Sequence, residues 1–172
     1  ALVDPQKMTK LRARSVIVSS GCYEQLCVFR NNDLPGVMLA SAAQRLIHQF
    51  AVRPFQKALV LTANSDGYRA AVDLQQSGVS VVLIADLRPE GEHSVWKDQA
   101  LRYNIPIQPG TAVYEAIPSS GKQGIKGAVL CSINSQGHVQ QSKELDQVIY
   151  CDGIAMSVGW APADGILRQA GG

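Results

Sequence analysis

The chain has 172 residues, of which 46% are hydrophobic, 17% charged and 6% aromatic, with a net charge of +2. That length suits one domain of ordinary size, and the apolar fraction excludes a disordered charged tail. No apolar run approaches the roughly 20 residues that a membrane span needs.

In chain order, Lys10–Gly21 turns from alternation into a β-branched run. It predicts a hairpin arm entering a buried strand that ends in the small-residue turn Ser19-Ser20-Gly21. Asn31-Asn32-Asp33-Leu34-Pro35-Gly36 is a concentrated turn signal. Val37, Leu39, Ala40, Ala43, Leu46, Ile47 and Phe50 recur at helical spacing and predict a helix over 37–51, stopped before Pro54. Lys57–Ala63 is an apolar run of strand length. Asn64-Ser65-Asp66 offers N-caps, Tyr68–Gln76 reads as a helix ended by Gly78, and Val79–Ala85 reads as a second strand closed by Asp86. Strand, helix and strand in that span make a βαβ unit with parallel strands covered on both faces.

Val95–Asn104 predicts another helix, and Ile105-Pro106-Ile107 begins a short strand. Thr111–Ile117, Gly127–Asn134 and Gly137–Gln141 are short segments separated by Gly, Pro and Ser. They read as an antiparallel meander. Glu144–Gly159 predicts one strand leading into the turn Ser157-Val158-Gly159. The fold class is therefore α/β: a Rossmann-like domain of FAD/NAD(P)-binding type, with a parallel sheet, a βαβ unit and a small antiparallel meander. By analogy of fold, this order suits the second, inserted dinucleotide-binding domain of two-domain flavoenzymes. The expected division is 1–35 as the edge of a first dinucleotide domain with a linker, 36–152 as the inserted domain, and 153–172 as the return. With no initiating Met and a last stretch of Ala170-Gly171-Gly172, the chain is expected to be a piece of a longer protein. Its start, Ala1-Leu2-Val3-Asp4-Pro5, has neither the basic nor the apolar region of a secretory signal.

The charge is uneven: residues 1–57 carry a net +5 and residues 58–172 a net −3. The basic third lacks the aromatic interleaving and recognition helix of a nucleic-acid binder, and reads as a solvated edge or a face toward other protein. Cys22, Cys27, Cys131 and Cys151 are too few for a disulfide scaffold and imply a reducing cytoplasm. Cys22 and Cys27 have redox-pair spacing but follow a strand and a turn, with Glu24 nearby. They read as partly buried structural thiols, and Cys131 and Cys151 read as core. His48, His93 and His138 lie far apart, so no metal site is expected. Trp96 and Trp160 read as packing anchors, and Glu90 and Glu92 as solvated loop acids.

The first βα turn tests for cofactor binding. A working fingerprint is G-x-G-x-x-G, and here the six positions are Thr62-Ala63-Asn64-Ser65-Asp66-Gly67. Only the third glycine, Gly67, is present. Asp66 places a carboxylate where a helix N-terminus would receive phosphate. Asp86 stands at the end of the second strand, where an acid meets a ribose. Thr62, Asn64, Gly67 and Asp86 thus outline a degenerate nucleotide loop, read as one that has lost or never used its ligand.

Three segments carry a resemblance: Gly21-Cys22-Tyr23-Glu24 with Asn32-Asp33-Leu34-Pro35-Gly36-Val37, then Asn64-Ser65-Asp66-Gly67-Tyr68-Arg69-Ala70-Ala71-Val72-Asp73-Leu74, then Cys151-Asp152-Gly153 through Trp160-Ala161-Pro162. Together they resemble the alpha subunit of heterotetrameric sarcosine oxidase. The departures are Gln25, where that family has Arg, and Val158, where it has Gly. The resemblance implies an enzyme that oxidises sarcosine to glycine and hydrogen peroxide and passes the methyl group to tetrahydrofolate, with FAD, FMN and NAD in the whole assembly. It implies that NAD is held by a first dinucleotide domain whose G-x-G-x-x-G would precede Ala1, and that the amine-oxidising flavin lies in another subunit. This chain would then hold no catalytic residue and no cofactor of its own. Its partners would be the other subunits and the rest of its own polypeptide, with no nucleic acid or membrane. Ser20, Gly21, Ser157 and Gly159 are the residues expected to border the NAD. Two further readings stand beside this one. One is an NAD(P)-binding module of a related amine, opine or proline oxidoreductase; the other is an assembly module that docks another subunit through Arg12 and Arg14.

Overall fold

The computed structural model describes residues 2–3, 5–90, 93–134, 136–139 and 147–171. In chain order the elements are β1 (Leu2–Val3), β2 (Met8–Thr9), β3 (Cys22–Glu24), β4 (Val37–Leu39), α1 (Ala40–Phe50), β5 (Lys57–Thr62), α2 (Ser65–Gln76), β6 (Ser80–Asp86), α3 (Val95–Arg102), β7 (Ile107–Pro109), β8 (Thr111–Pro118), β9 (Ile125–Ser132), β10 (Gln147–Ile149), β11 (Gly153–Ser157), β12 (Trp160–Pro162) and α4 (Gly165–Gln169). Contacts divide the chain into two units, Ala1–Tyr23 with Ala161–Gly172, and Glu24–Trp160.

In the larger unit, β5 is buried from Ala58 to Thr62 and is the middle strand of a five-stranded parallel sheet, β4-β11-β5-β6-β7. Successive side chains on a strand face opposite ways, so one apolar strand feeds two cores. Ala58 and Val60 pack with Tyr68, Ala71 and Leu74 of α2, Ala43 of α1 and Ala100 of α3. Leu59 and Leu61 pack with Val113 and Ala116 of β8 and Ala128 and Leu130 of β9. Helices thus cover one face and the antiparallel meander β10-β9-β8 covers the other. The βαβ unit forms as expected, with β5 and β6 parallel from Lys57↔Ser80 to Thr62↔Asp86. The α/β class with a parallel sheet and a small meander is what the sequence predicts.

Four assignments differ. Val37–Leu39 is not helical but forms β4, which pairs with β11 from Val37↔Ile154 to Leu39↔Met156. A short apolar triplet suits either period, and pairing at the sheet edge decides it. The helix α2 begins three residues earlier than its apolar pattern, because Asn64 caps it. The expected strand from Glu144 to Gly159 is two strands in two sheets: β10 belongs to the meander and β11 to the parallel sheet. Asp152 makes the break. Its carboxylate accepts the N–H groups of Gln56 at 3.0 Å and Lys57 at 2.7 Å. Gly153 then passes against Phe55, where a Cβ would meet the ring at 2.0 Å. The third meander strand is β10 rather than the predicted Gly137–Gln141. There, Val139 makes a single bridge to Ile133, and residues 140–146 lie outside the described residues.

In the smaller unit, β1 and β2 pair antiparallel, Leu2 with Thr9 and Val3 with Met8. The predicted strand before Gly21 is absent: Val16 is 76% exposed and Ile17 is 93% exposed. A β-branched run becomes a strand only against a partner. The Ser20 hydroxyl donates to the Ala163 carbonyl, and the Ala163 N–H donates to the Gly21 carbonyl.

Candidate functional site

In an open α/β sheet, ligands bind outside the carboxyl ends of the strands, where the chain order reverses. Here that point lies between β5, which continues to β6 on one side, and β11, which flanks it on the other. Thr62 and Ser157 end these two strands, and both are fully buried. The Thr62 hydroxyl donates to the Asn64 carbonyl at 2.8 Å, and the Ala63 N–H donates to the Ser157 carbonyl at 3.0 Å.

Asn64 has extended backbone, which turns its side chain onto the first turn of α2. Its Oδ1 accepts the N–H groups of Asp66 at 3.0 Å and Gly67 at 3.3 Å, and the Ser157 hydroxyl at 3.2 Å. Those N–H groups are the orphan donors of the helix end. The carboxylate of Asp66 accepts the indole N–H of Trp160 at 2.9 Å. Gly67 is pressed on β5: a Cβ there would lie 2.1 Å from the Thr62 Oγ1. Thr62 therefore fills the space beside the one retained glycine.

Asp86 ends β6 and is fully buried. The Tyr68 hydroxyl donates to its Oδ2 at 2.5 Å; the Arg88 backbone N–H and Nε donate to Oδ1, both at 3.0 Å; and Arg88 Nη2 donates to Oδ2 at 2.9 Å. Burial pushes the Asp86 carboxyl up, but the hydrogen bonds from Arg88 and Tyr68 and the Arg88 charge outweigh it and hold its pKa below the ordinary value. Burial, and then donation to Asp86, push the Tyr68 hydroxyl up. The guanidinium also lies 6.0 Å from the centre of the Tyr68 ring.

The start of α1 is met in the same way. Its N-cap, Leu39, has no side-chain oxygen, and the Glu24 carboxylate instead accepts the Ser41 N–H at 2.9 Å. Beside it, a cleft of about 380 Å³ runs between α1 and α2. In its wall the Asp73 carboxylate accepts from Gln44 at 2.7 Å and pairs with His48 at 3.2 Å. Tyr68, Arg88, Glu24 and Trp160 are the members of this region that the loop fingerprint does not reveal. The spacing of Asp86 and Arg88, two residues apart at a strand end, is the one local signal that points to the pairing.

The other sequence candidates are placed as follows. Ser20 and Gly21 belong to the smaller unit, where they line a shallow pocket of about 310 Å³ with Val16, Pro162 and Leu167. Ser157 and Gly159 belong to the larger unit. Cys22 is exposed rather than partly buried, because its strand has little cover. Cys131 and Cys151 are buried, and burial pushes the Cys151 thiol up to about 11. Cys27 is half-buried, and its thiol is raised first by burial and then by Cys131. Cys27 and Cys131 line a groove of about 790 Å³ with Arg88, Tyr114 and Ile133. Among the described residues, no group of three or more His, Cys, Asp or Glu could hold a metal ion, and no helix is long and apolar enough to cross a membrane. Trp96 packs on the helix-side core, with Arg69 5.3 Å over its ring. Trp160 is 44% exposed and serves as a hydrogen-bond donor, not a packing anchor. Glu90 is exposed, and Glu92 lies outside the described residues.

No family model matches the chain. Over 171 residues, 99% of the chain, it is 28% identical to the sarcosine oxidase subunit alpha of Corynebacterium sp. (strain U-96). The chain is similar to sarcosine oxidase alpha subunits. The same subunit of Rhizobium meliloti (strain 1021) is 34% identical over 84 residues. The chain spans 17% of the Corynebacterium subunit, and its match to the Rhizobium one covers 8% of that subunit. Among solved structures, thioredoxin reductase of T. acidophilum matches 87% of this chain and 45% of its own, with a TM-score of 0.65 and 14% identity. L-proline dehydrogenase from P. horikoshii matches 90% of this chain and 23% of its own, with a TM-score of 0.57 and 17% identity. The fold is thus the Rossmann-like one of FAD/NAD(P)-dependent oxidoreductases.

That fold implies a dinucleotide at the carboxyl end of β5, and the residues present do not fit one. A pyrophosphate there needs free N–H groups at the start of α2, and two of them are held by Asn64. A ribose there needs an accessible acid, and Asp86 is buried under Tyr68 and Arg88.

Proposed function

We propose that this chain is a dinucleotide-fold domain in the alpha subunit of a sarcosine oxidase-type flavoenzyme. The enzyme would oxidatively demethylate sarcosine to glycine, with formation of hydrogen peroxide and transfer of the methyl group to tetrahydrofolate. The alignment over 99% of the chain with a sarcosine oxidase subunit alpha carries this reading. Solved flavoenzymes of the same fold support the coarser part, a domain of a larger oxidoreductase. NAD, FAD and FMN would be held elsewhere in the assembly, which would be cytoplasmic. The partners of this chain would be the rest of its polypeptide and the other subunits, and the exposed basic residues Arg12 and Arg14 are candidates to meet a subunit.

The test is to purify the full-length polypeptide with its co-encoded subunits. Oxygen uptake and hydrogen peroxide release are then measured with sarcosine, with and without tetrahydrofolate. Sarcosine turnover, with formaldehyde replaced by a folate adduct when tetrahydrofolate is present, is the expected result. Turnover of proline or an opine without sarcosine turnover would move the chain to a related amine oxidoreductase.

A further inference from the structure

The domain keeps the sheet order of a nucleotide-binding fold, yet the strand-end acid and N–H groups at the starts of α1 and α2 are bonded to the chain's own side chains. We infer that the carboxyl-end crest of the sheet is self-liganded: Asn64 and Glu24 take the helix N-termini where phosphates bind, Tyr68 and Arg88 take the acid where a ribose binds, and no dinucleotide is held there.

Each substitution has an atomic counterpart. A phosphate oxygen at the start of α2 would accept two backbone N–H groups; the Asn64 Oδ1 accepts those of Asp66 and Gly67. The same oxygen also takes the Ser157 hydroxyl, so the carboxamide closes the gap between the β5 and β11 ends that a pyrophosphate would bridge. The Glu24 carboxylate supplies the anion at α1. A ribose would donate a hydroxyl to the strand-end acid; the Tyr68 hydroxyl donates to Asp86 in its place, and Arg88 adds a bidentate charge-assisted pair. Asp66 completes the closure, because its charge stands at the loop and is engaged by the Trp160 indole. Among the described residues no buried side-chain polar atom is left unpartnered, so no buried side chain of the crest lacks a partner that a ligand would supply. None of these contacts depends on which amine the enzyme oxidises.

Hydrogen–deuterium exchange on the full-length polypeptide tests it, because it reads this segment separately from any other nucleotide site. The probes are NAD+, NADPH and FAD at millimolar concentration. Exchange across 62–68 and 84–89 should be unchanged by each probe. Slowed exchange in either segment would overturn the inference. In the absence of probe, Asn64→Ala should speed exchange in the first turn of α2 about fivefold, the usual effect of losing a cap. Asn64→Asp, which keeps the accepting oxygen, should leave it near wild type. If Asn64→Ala exchanges like wild type, or Asn64→Asp exchanges like Asn64→Ala, the side chain is not the ligand and the inference fails.

Discussion

At Asp86 two opposed effects meet, and their sum sets a pH dependence. Burial alone would favour the neutral acid, but Arg88 and Tyr68 stabilise the charged form and the folded pKa lies below the ordinary one. A depressed pKa contributes stability that is fully present above the unfolded value, about 4, and is lost as pH falls through the folded value. Urea midpoints should therefore hold down to about pH 4 and fall as the pH drops further, and the fall should be smaller in Asp86→Asn. At neutral pH that variant should be less stable by about 3 kcal/mol, since it leaves the Arg88 charge without its partner. Gly67 gives a second residue-scale test. Gly67→Ala should cost about 2 kcal/mol, because the new methyl meets the Thr62 side chain. In a Thr62→Gly background the same change should turn stabilising, by up to ~1 kcal/mol, the helix preference of Ala over Gly. Thermal melts of the four proteins decide this.

Among the elements, the start of β5 is fixed from a distance by Asp152, whose carboxylate takes two consecutive backbone N–H groups. Asp152→Ala should cost about 2 kcal/mol, and the Gln56 and Lys57 amides should exchange faster than the middle of β5. This contact also shows what the sequence can and cannot reveal. The apolar runs at Lys57–Thr62 and Ser80–Asp86 specify parallel strands, because only two-sided burial accommodates such runs. The division of 144–159 into strands of two sheets is not legible, since it depends on Asp152 meeting residues almost a hundred positions away. Likewise the missing glycines at Thr62 and Asn64 are visible, whereas Tyr68 reaching Asp86 requires the helix to be laid on the sheet. Strand periodicity near Val16 misleads, because a pattern states which face is apolar and not what will cover it.

For the molecule as a whole, both apolar cores and all five parallel strands lie within Glu24–Trp160. The smaller unit has α4 without a buried residue and leaves Val16, Ile17 and Ile166 exposed. A polypeptide of residues 24–160 should therefore fold alone, with one cooperative urea transition followed by circular dichroism. The two outer segments joined to each other should show no such transition. A broad, non-cooperative transition in the 24–160 polypeptide would show that the outer segments are needed for the core.

The bonding around Asn64 also bears on how readily this corner could be changed. Replacing Asn64 by glycine removes its side-chain bonds to the start of α2 and to Ser157, and replacing Thr62 by glycine removes the Thr62 hydroxyl's bonds to Asn64 and Ser157. Each change toward the glycine-rich fingerprint, made singly, gives up bonds that the fold uses, before a phosphate has N–H groups to meet. The corner works as a latch: the same few bonds that join β5, β11 and α2 also occupy the place of a ligand, so that folding and ligand exclusion draw on one set of contacts.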